Sequence, residues 1–318
     1  MNLKLRWMLL VLGVVLAADA RTWTSVSGKQ IEAEFVSETF GQVTLKTPQG
    51  EKIGIPLAKL CPEDREFIQA RKIPASRTRS TAAAVEESRA AALAPRHGTP
   101  EVAAKMTPGA TFVQTAAGLN AITYHVRVPP GYDPARPTPL VIAFSSTGNG
   151  HSILRSISAS TDKAGWIAIG CDKLRNNLED DKLTDAMEDE VLEDIYRSIP
   201  HDPRRVYLAG HSGGAMRAYG ITARREDPFA GILAYGGWLG GPEHQKKRYC
   251  RFMAVAMING DKDDAANSWA VSDKQALLLR KCNVEIFTFP GGHPMPSDPE
   301  VSDRAIAWLR QEWEAKAR

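Results

Sequence analysis

From residue 111 onward the chain alternates between short apolar runs and longer mixed stretches. The runs at 140–144, 166–170, 206–209, 231–235, 252–258 and 284–289 are apolar without alternation, the pattern of strands buried on both faces. Ahead of them, 111–115 and 122–128 predict a hairpin pair. Between the fourth and fifth of these eight strands, Met187, Val191, Ile195 and Ile199 recur every four residues. That spacing predicts a helix with one apolar face, and Asp185 with Glu188 reads as its capping pair. The connections among the last six strands are long enough to hold the crossover helices that parallel pairing requires. The expected architecture is therefore α/β: a doubly wound, mostly parallel eight-stranded sheet.

The pattern before residue 111 is different. Residues 31–36 and 42–46 alternate in short runs, separated by turn residues at Ser27-Gly28, Gly41 and Gln49-Gly50. Residues 21–73 thus predict a small antiparallel barrel closed by the helical stretch PEDREFIQARK. Pro, Ala, Ser, Arg and Thr dominate 74–110, with Pro74, Pro95, Pro100 and Pro108 interrupting it, so this reads as a linker. Residues 82–94 have good helix propensity but no apolar face to bury. At the start, Lys4 and Arg6 precede an apolar run of 7–17, followed by Ala18-Asp19-Ala20. This is the layout of a cleavable secretory signal peptide over 1–20, and it predicts a secreted or periplasmic protein. No later segment is long and apolar enough to span a bilayer.

With 43% hydrophobic and 24% charged residues in 318, the chain can bury a substantial core. A formal charge of +3 gives no reason to expect a nucleic-acid or anionic-membrane partner. Export permits disulfides, which brings the cysteines Cys61, Cys171, Cys250 and Cys282 into play. Cys250 and Cys282 each precede a strand, and the two strands should be neighbours, so a Cys250–Cys282 bridge is expected. Nothing has metal-ligand spacing, and no metal or organic cofactor is called for.

The candidate chemistry centres on Ala209-Gly210-His211-Ser212-Gly213-Gly214-Ala215. A G-x-S-x-G pattern arises by chance in about one chain in ten of this length, so its surroundings decide. It follows the strand at 206–209 and precedes a helical stretch running towards Arg225, the setting in which the serine sits on a sharp turn with its hydroxyl exposed. The helix N-terminus behind it favours developing negative charge. Serine needs a base within reach, and seven histidines are available. His97 is in the linker, His125 in an early strand and His201 in a turn. His211 adjoins the serine but is directed away by the turn. His151 follows the third strand and His244 the sixth, while His293 lies in Gly291-Gly292-His293-Pro294 just past the last. At the end of the seventh strand, Asp261, Asp263 and Asp264 offer a carboxylate to orient a histidine.

Two resemblances extend this reading. Residues 21–73 resemble SLA1 homology domain 1, an SH3-like module, through Arg21-Thr22-Trp23-Thr24, Gly28-Lys29 with Ile31-Glu32-Ala33-Glu34-Phe35, and Ile55-Pro56-Leu57-Ala58-Lys59-Leu60. This implies a module for a peptide or surface ligand, with a plain spacer as the alternative. Residues 120–315 resemble the α/β-hydrolases grouped with polyhydroxybutyrate depolymerases, feruloyl esterases and dienelactone-hydrolase-like enzymes. The carrying residues are Val128-Pro129-Pro130-Gly131-Tyr132-Asp133, Pro139-Leu140-Val141-Ile142-Ala143, Asp202-Pro203-Arg204-Arg205-Val206-Tyr207, the serine turn and the two loops above.

The second resemblance implies that the His293 loop faces Ser212, and that Asp263, with a G-x-x-D spacing from Gly260, is the acid. It also implies that a backbone donor from the loop after the third strand joins the Gly213 N–H in an oxyanion hole. Relatives carry a His-Gly-Gly-type loop there, but this chain reads Ser145-Ser146-Thr147-Gly148-Asn149-Gly150, with Ser146 or Thr147 as the donor. The implied reaction is ester hydrolysis through an acyl-enzyme. The ester is unspecified, with a polymer or a polysaccharide decoration among the options. About fifteen residues separate the sixth and seventh strands, too few for a large lid. Trp238 is the preferred cleft residue, ahead of Tyr235 and Trp269. The alternatives are a serine peptidase of the same fold and a binding protein whose hydrolase domain has decayed.

Overall fold

The structure is a computed structural model that describes residues 20–39, 42–72, 96–176, 178 and 180–316. The chain divides into two compact units, Met1–Val85 and Glu86–Arg318. The signal peptide expected over 1–20 and the helix-prone stretch at 82–94 lie outside the described residues, apart from Ala20.

In the first unit, strands β1 (Ala20–Thr24), β2 (Gln30–Thr39), β3 (Gln42–Lys46) and β4 (Lys52–Pro56) form an antiparallel meander in that order. A bulge between Phe35 and Ser37 bends β2, as the extra residue of a bulge does. The bridge between Ser25 and Leu60 brings the chain back to the end of β1. The alternating pattern buries Trp23, Ala33, Val43 and Leu45 with Leu60 and with Ile68 of α1 (Pro62–Lys72). The Trp23 indole donates to the Ala33 carbonyl at 2.9 Å, so the one polar atom of the largest core side chain is satisfied. Asp64 of α1 accepts from Arg21 and from the Thr24 N–H, both at 2.6 Å, and ties helix to sheet.

The second unit is built on an eight-stranded sheet ordered β12-β11-β10-β9-β7-β8-β6-β5. Its strands are β5 (Thr111–Thr115), β6 (Thr123–Arg127), β7 (Leu140–Ser145), β8 (Ile167–Cys171), β9 (Val206–His211), β10 (Gly231–Tyr235), β11 (Ala254–Gly260) and β12 (Asn283–Phe289). β5 and β6 pair antiparallel, β6 joins β8 antiparallel, and the other pairs are parallel. The five central apolar runs are buried along nearly their whole length, as strands covered on both faces must be.

Successive residues of each strand face opposite layers. Leu140, Ile142 and Phe144 pack with α4 (Asp181–Ser198), α5 (Gly213–Arg224) and α7 (Asp264–Leu279). Val141 and Ala143 pack with α3 (Gly150–Ala164) and α8 (Glu300–Lys316). Two short helices, α2 (Pro100–Ala103) and α6 (Pro242–Gln245), complete the set. β8 lies on one side of β7 and β9 on the other, so the connections leaving β7 and β9 diverge. The crevice between their C-terminal ends is the topological switch point, where open α/β sheets bind ligands.

Three expectations change. The helix after β8 starts one turn earlier than the Asp185–Glu188 pair suggests: Asp180 caps it, accepting from Lys182 N at 2.8 Å and Leu183 N at 3.2 Å. Asp185 and Glu188 instead pair with Arg224. Leu183 carries the four-residue apolar spacing back into the first turn of this helix, but it is exposed, and taking Asp185 with Glu188 as the cap places the start after it. Cys250 and Cys282 are neighbours but free thiols. Each sulfur turns to a carbonyl, Cys282 Sγ to Cys250 O at 3.5 Å and Cys250 Sγ to Phe229 O at 3.7 Å. Residues 96–110, read as linker from composition, pack on the α/β unit. Arg96 bridges His201, and Val102 and Met106 are buried in the main core.

Candidate active site

The turn between β9 and α5 is made by close packing. A Cβ on Gly214 would lie 2.0 Å from the Phe144 carbonyl oxygen, so α5 can approach β7 this closely only without a side chain there. Ser212 takes φ 56° and ψ −123°, a conformation that residues with a Cβ avoid. Its N–H donates to Tyr235 O at 2.9 Å, which fastens the turn to β10. Ser212 is the N-cap residue of α5, yet its side chain makes no capping bond. The hydroxyl is turned towards His293 instead, with His293 Nε2 2.9 Å from Ser212 Oγ.

His293 Nδ1 lies 2.9 Å from Asp263 Oδ2. An ionised carboxylate only accepts, so Nδ1 carries the proton and Nε2 is left to accept from the serine hydroxyl. Asp263 is 3% exposed and is the N-cap of α7, its Oδ1 accepting from Ala266 N at 3.2 Å. One oxygen is thus held by a helix N-terminus, which favours negative charge, and the other by the histidine. Of the three neighbouring aspartates, only Asp263 touches His293. Asp261 accepts from Gly291 N at 2.9 Å and braces the loop that carries the histidine. Asp264 lies in the first turn of α7, exposed.

Of the other site expectations, Gly213 opens α5 directly behind Ser212, and the loop of Ser146 and Thr147 ends β7 at the other wall of the crevice. The Thr147 N–H donates to Ser145 Oγ at 3.2 Å, so of the two donors expected from this loop it is the one already engaged. Trp238 is half-buried in the loop after β10, one residue beyond Gly237, whose Cβ position lies 3.0 Å from Ser212 O. Tyr235 is no cleft residue: it is 1% exposed and its hydroxyl bonds Ser302 Oγ at 3.1 Å. Among the described residues, no group of three or more His, Cys, Asp or Glu side chains is placed to hold a metal ion. No helix among them is long and apolar enough to cross a membrane.

Two contributors have no sequence signature. His211 Nε2 bonds the His293 carbonyl oxygen at 2.8 Å, so Nε2 donates and the ring braces the His293 loop. Burial pushes its pKa below the ordinary imidazole value, and the bond to that carbonyl opposes the shift. Asn176, in the connection after β8, donates its N–H to Ser146 O at 2.9 Å. With the Thr147–Arg175 bridge and the Lys173 N–H to Gly148 O bond (2.9 Å), it straps the loop after β7 in place. Only the folded topology brings these segments together.

Residues 16–73 match the model of the SLA1 homology domain 1 family. A solved structure of fluorophosphonate-binding serine hydrolase F of Staphylococcus aureus, substrate bound, is similar at 15% identity and a TM-score of 0.50, covering 64% of this chain and 99% of that one. The larger unit has the α/β-hydrolase fold. Est1E from Butyrivibrio proteoclasticus (14% identity, TM-score 0.49) and a putative dienelactone hydrolase from Klebsiella pneumoniae (18%, 0.48) each cover 64% of this chain and 99% of their own. A comparison with curated proteins gave no match.

Proposed function

We propose that this protein is an exported serine hydrolase that cleaves carboxylic esters through an acyl-enzyme. The observation that carries the reading is the chain Asp263–His293–Ser212, 2.9 Å at each link, ending on a serine held in a strained turn at the sheet's switch point. Ser212 Oγ attacks the ester carbonyl as His293 Nε2 takes its proton. The tetrahedral oxyanion lies against the Gly213 and Ser146 N–H groups. His293 returns the proton to the departing alcohol, leaving the acyl group on Ser212, and the cycle repeats with water as the nucleophile. Asp263 keeps His293 in the required tautomer and stabilises its cationic form.

The loop after β10 supports a bulky or polymeric ester over one with a buried lipid chain, since 236–253 holds only the four-residue α6 and builds no lid. Trp238 is assigned to the substrate cleft. The N-terminal module is assigned a peptide or surface ligand, which would bring the hydrolase to its substrate. Hydrolysis of 4-nitrophenyl acetate by the mature chain tests the reading. Ser212→Ala and His293→Ala should abolish turnover, and Asp263→Asn should lower kcat about 10⁴-fold by fixing the wrong tautomer. Turnover that survives Ser212→Ala would refute it.

A further inference from the structure

We propose that the Asn176 side-chain amide is a third donor to the oxyanion at this site, joining the Gly213 and Ser146 N–H groups. The inference rests on the hydrolase reading above. Its first support is contact: a Cβ built on Gly213 would lie 1.9 Å from Asn176 Oδ1, 2.2 Å from Nδ2 and 2.3 Å from Cγ. The carboxamide therefore lies against the bare Cα of Gly213, the residue that supplies the helix-side donor. With ordinary covalent geometry, Nδ2 is within about 5 Å of the Gly213 nitrogen.

The second support is anchorage to the other wall. The Asn176 N–H donates to Ser146 O at 2.9 Å, within the strap formed by the Thr147–Arg175 bridge and the Lys173–Gly148 bond. One residue thus touches the loop donor through its backbone and the helix donor through its side chain. The third support is that the amide is unspent. Asn176 is exposed, and among the described residues its carboxamide makes no hydrogen bond of its own. The need for a further donor is local as well, because the Thr147 N–H is consumed by Ser145 Oγ. An amide N–H fixed where charge develops costs no reorganisation during reaction, and losing one such donor lowers kcat about 10²–10³-fold.

The contact also explains a feature of the motif. Any side chain at 213 would displace the amide, so the glycine after the nucleophile reads as room for Asn176.

The test is steady-state hydrolysis of 4-nitrophenyl acetate by the full mature chain, with melting temperatures recorded alongside. Asn176→Ala keeps the backbone strap and should lower kcat about 100-fold with KM nearly unchanged. Asn176→Asp, the same shape but acceptor-only, should be at least as slow. Gly213→Ala should mimic the loss, and combining it with Asn176→Ala should add little. All should melt near the wild type. A residue that only props the loop would tolerate Asp, so near-wild-type kcat in Asn176→Asp, or in Asn176→Ala, overturns the proposal. An unreactive wild type would overturn the hydrolase reading and this inference with it, whereas an active wild type with an indifferent Asn176→Ala overturns this inference alone.

Discussion

At Ser212 the backbone adopts φ 56° and ψ −123°, and such strain persists only where the surroundings impose it. Here the β9 run is buried on one side, Gly214 meets the Phe144 carbonyl on the other, and Tyr235 O holds the serine N–H. Gly214→Ala is the sharpest test of that enforcement. The new Cβ would meet a backbone oxygen that cannot swing away, so the variant should lose about 3 kcal/mol in denaturant unfolding. A midpoint unchanged within about 0.5 kcal/mol would mean that the turn is looser than described.

The residues of the candidate site divide by how local their signal is. Ser212 could be read because strand, motif and helix adjoin in sequence. Asp263 and His293 followed from the ends of two recognisable strands, with the family resemblance choosing among neighbours. His211 and Asn176 act through contacts to residues 82 and 30 positions away, His293 and Ser146. No local pattern encodes such pairings.

Among the elements, the eight strands of the sheet were legible to within two residues, the five central ones because a strand covered on both faces must be apolar throughout. The start of α4 was not: Leu183 continues the four-residue spacing at its beginning, but Asp185 with Glu188 read as a cap downstream of it, and Leu183 is 48% exposed. The turn depends on the Asp180 cap, and Asp180→Ala should cost about 1 kcal/mol, read as a lower denaturant midpoint with an unchanged slope. Residues 96–110 misled for the opposite reason. Their prolines and small residues resemble a linker, but Val102 and Met106 are 1% and 5% exposed, and two apolar residues show no period. The cysteine pair shows that neighbouring strands do not ensure a bond. Titration of the unreduced, denatured chain with a thiol reagent should find four thiols, matching the four cysteines. Two would indicate a bridge.

At the scale of the whole molecule, one buried and one half-buried histidine set how stability responds to pH. Burial lowers the His201 pKa, its largest influence, and does the same at His211. A group whose folded pKa lies below its unfolded value binds protons more readily when unfolded, so stability rises with pH across that interval. Stability should therefore be fully retained above about pH 6.5 and decline as pH falls below it. Asp202, held below the usual carboxylate range by its bonds to Arg204 and Arg205 against the opposing effect of burial, contributes stability that is lost at lower pH still. Comparing denaturant midpoints at pH 7.5 and pH 5.5 for wild type and His201→Gln separates the two windows. The variant should show the smaller difference, and an equal difference would remove His201 from the account.

The whole chain joins a small antiparallel unit to one with the α/β-hydrolase fold, whose sheet brings Ser212, His293 and Asp263 to one crevice. The measurement that tests this most directly is fluorophosphonate labelling of the purified mature protein beside Ser212→Ala and His293→Ala. Labelling of the wild type that vanishes in the serine variant and falls steeply in the histidine variant is the predicted result. A folded wild type that remains unlabelled would contradict a working nucleophile and base.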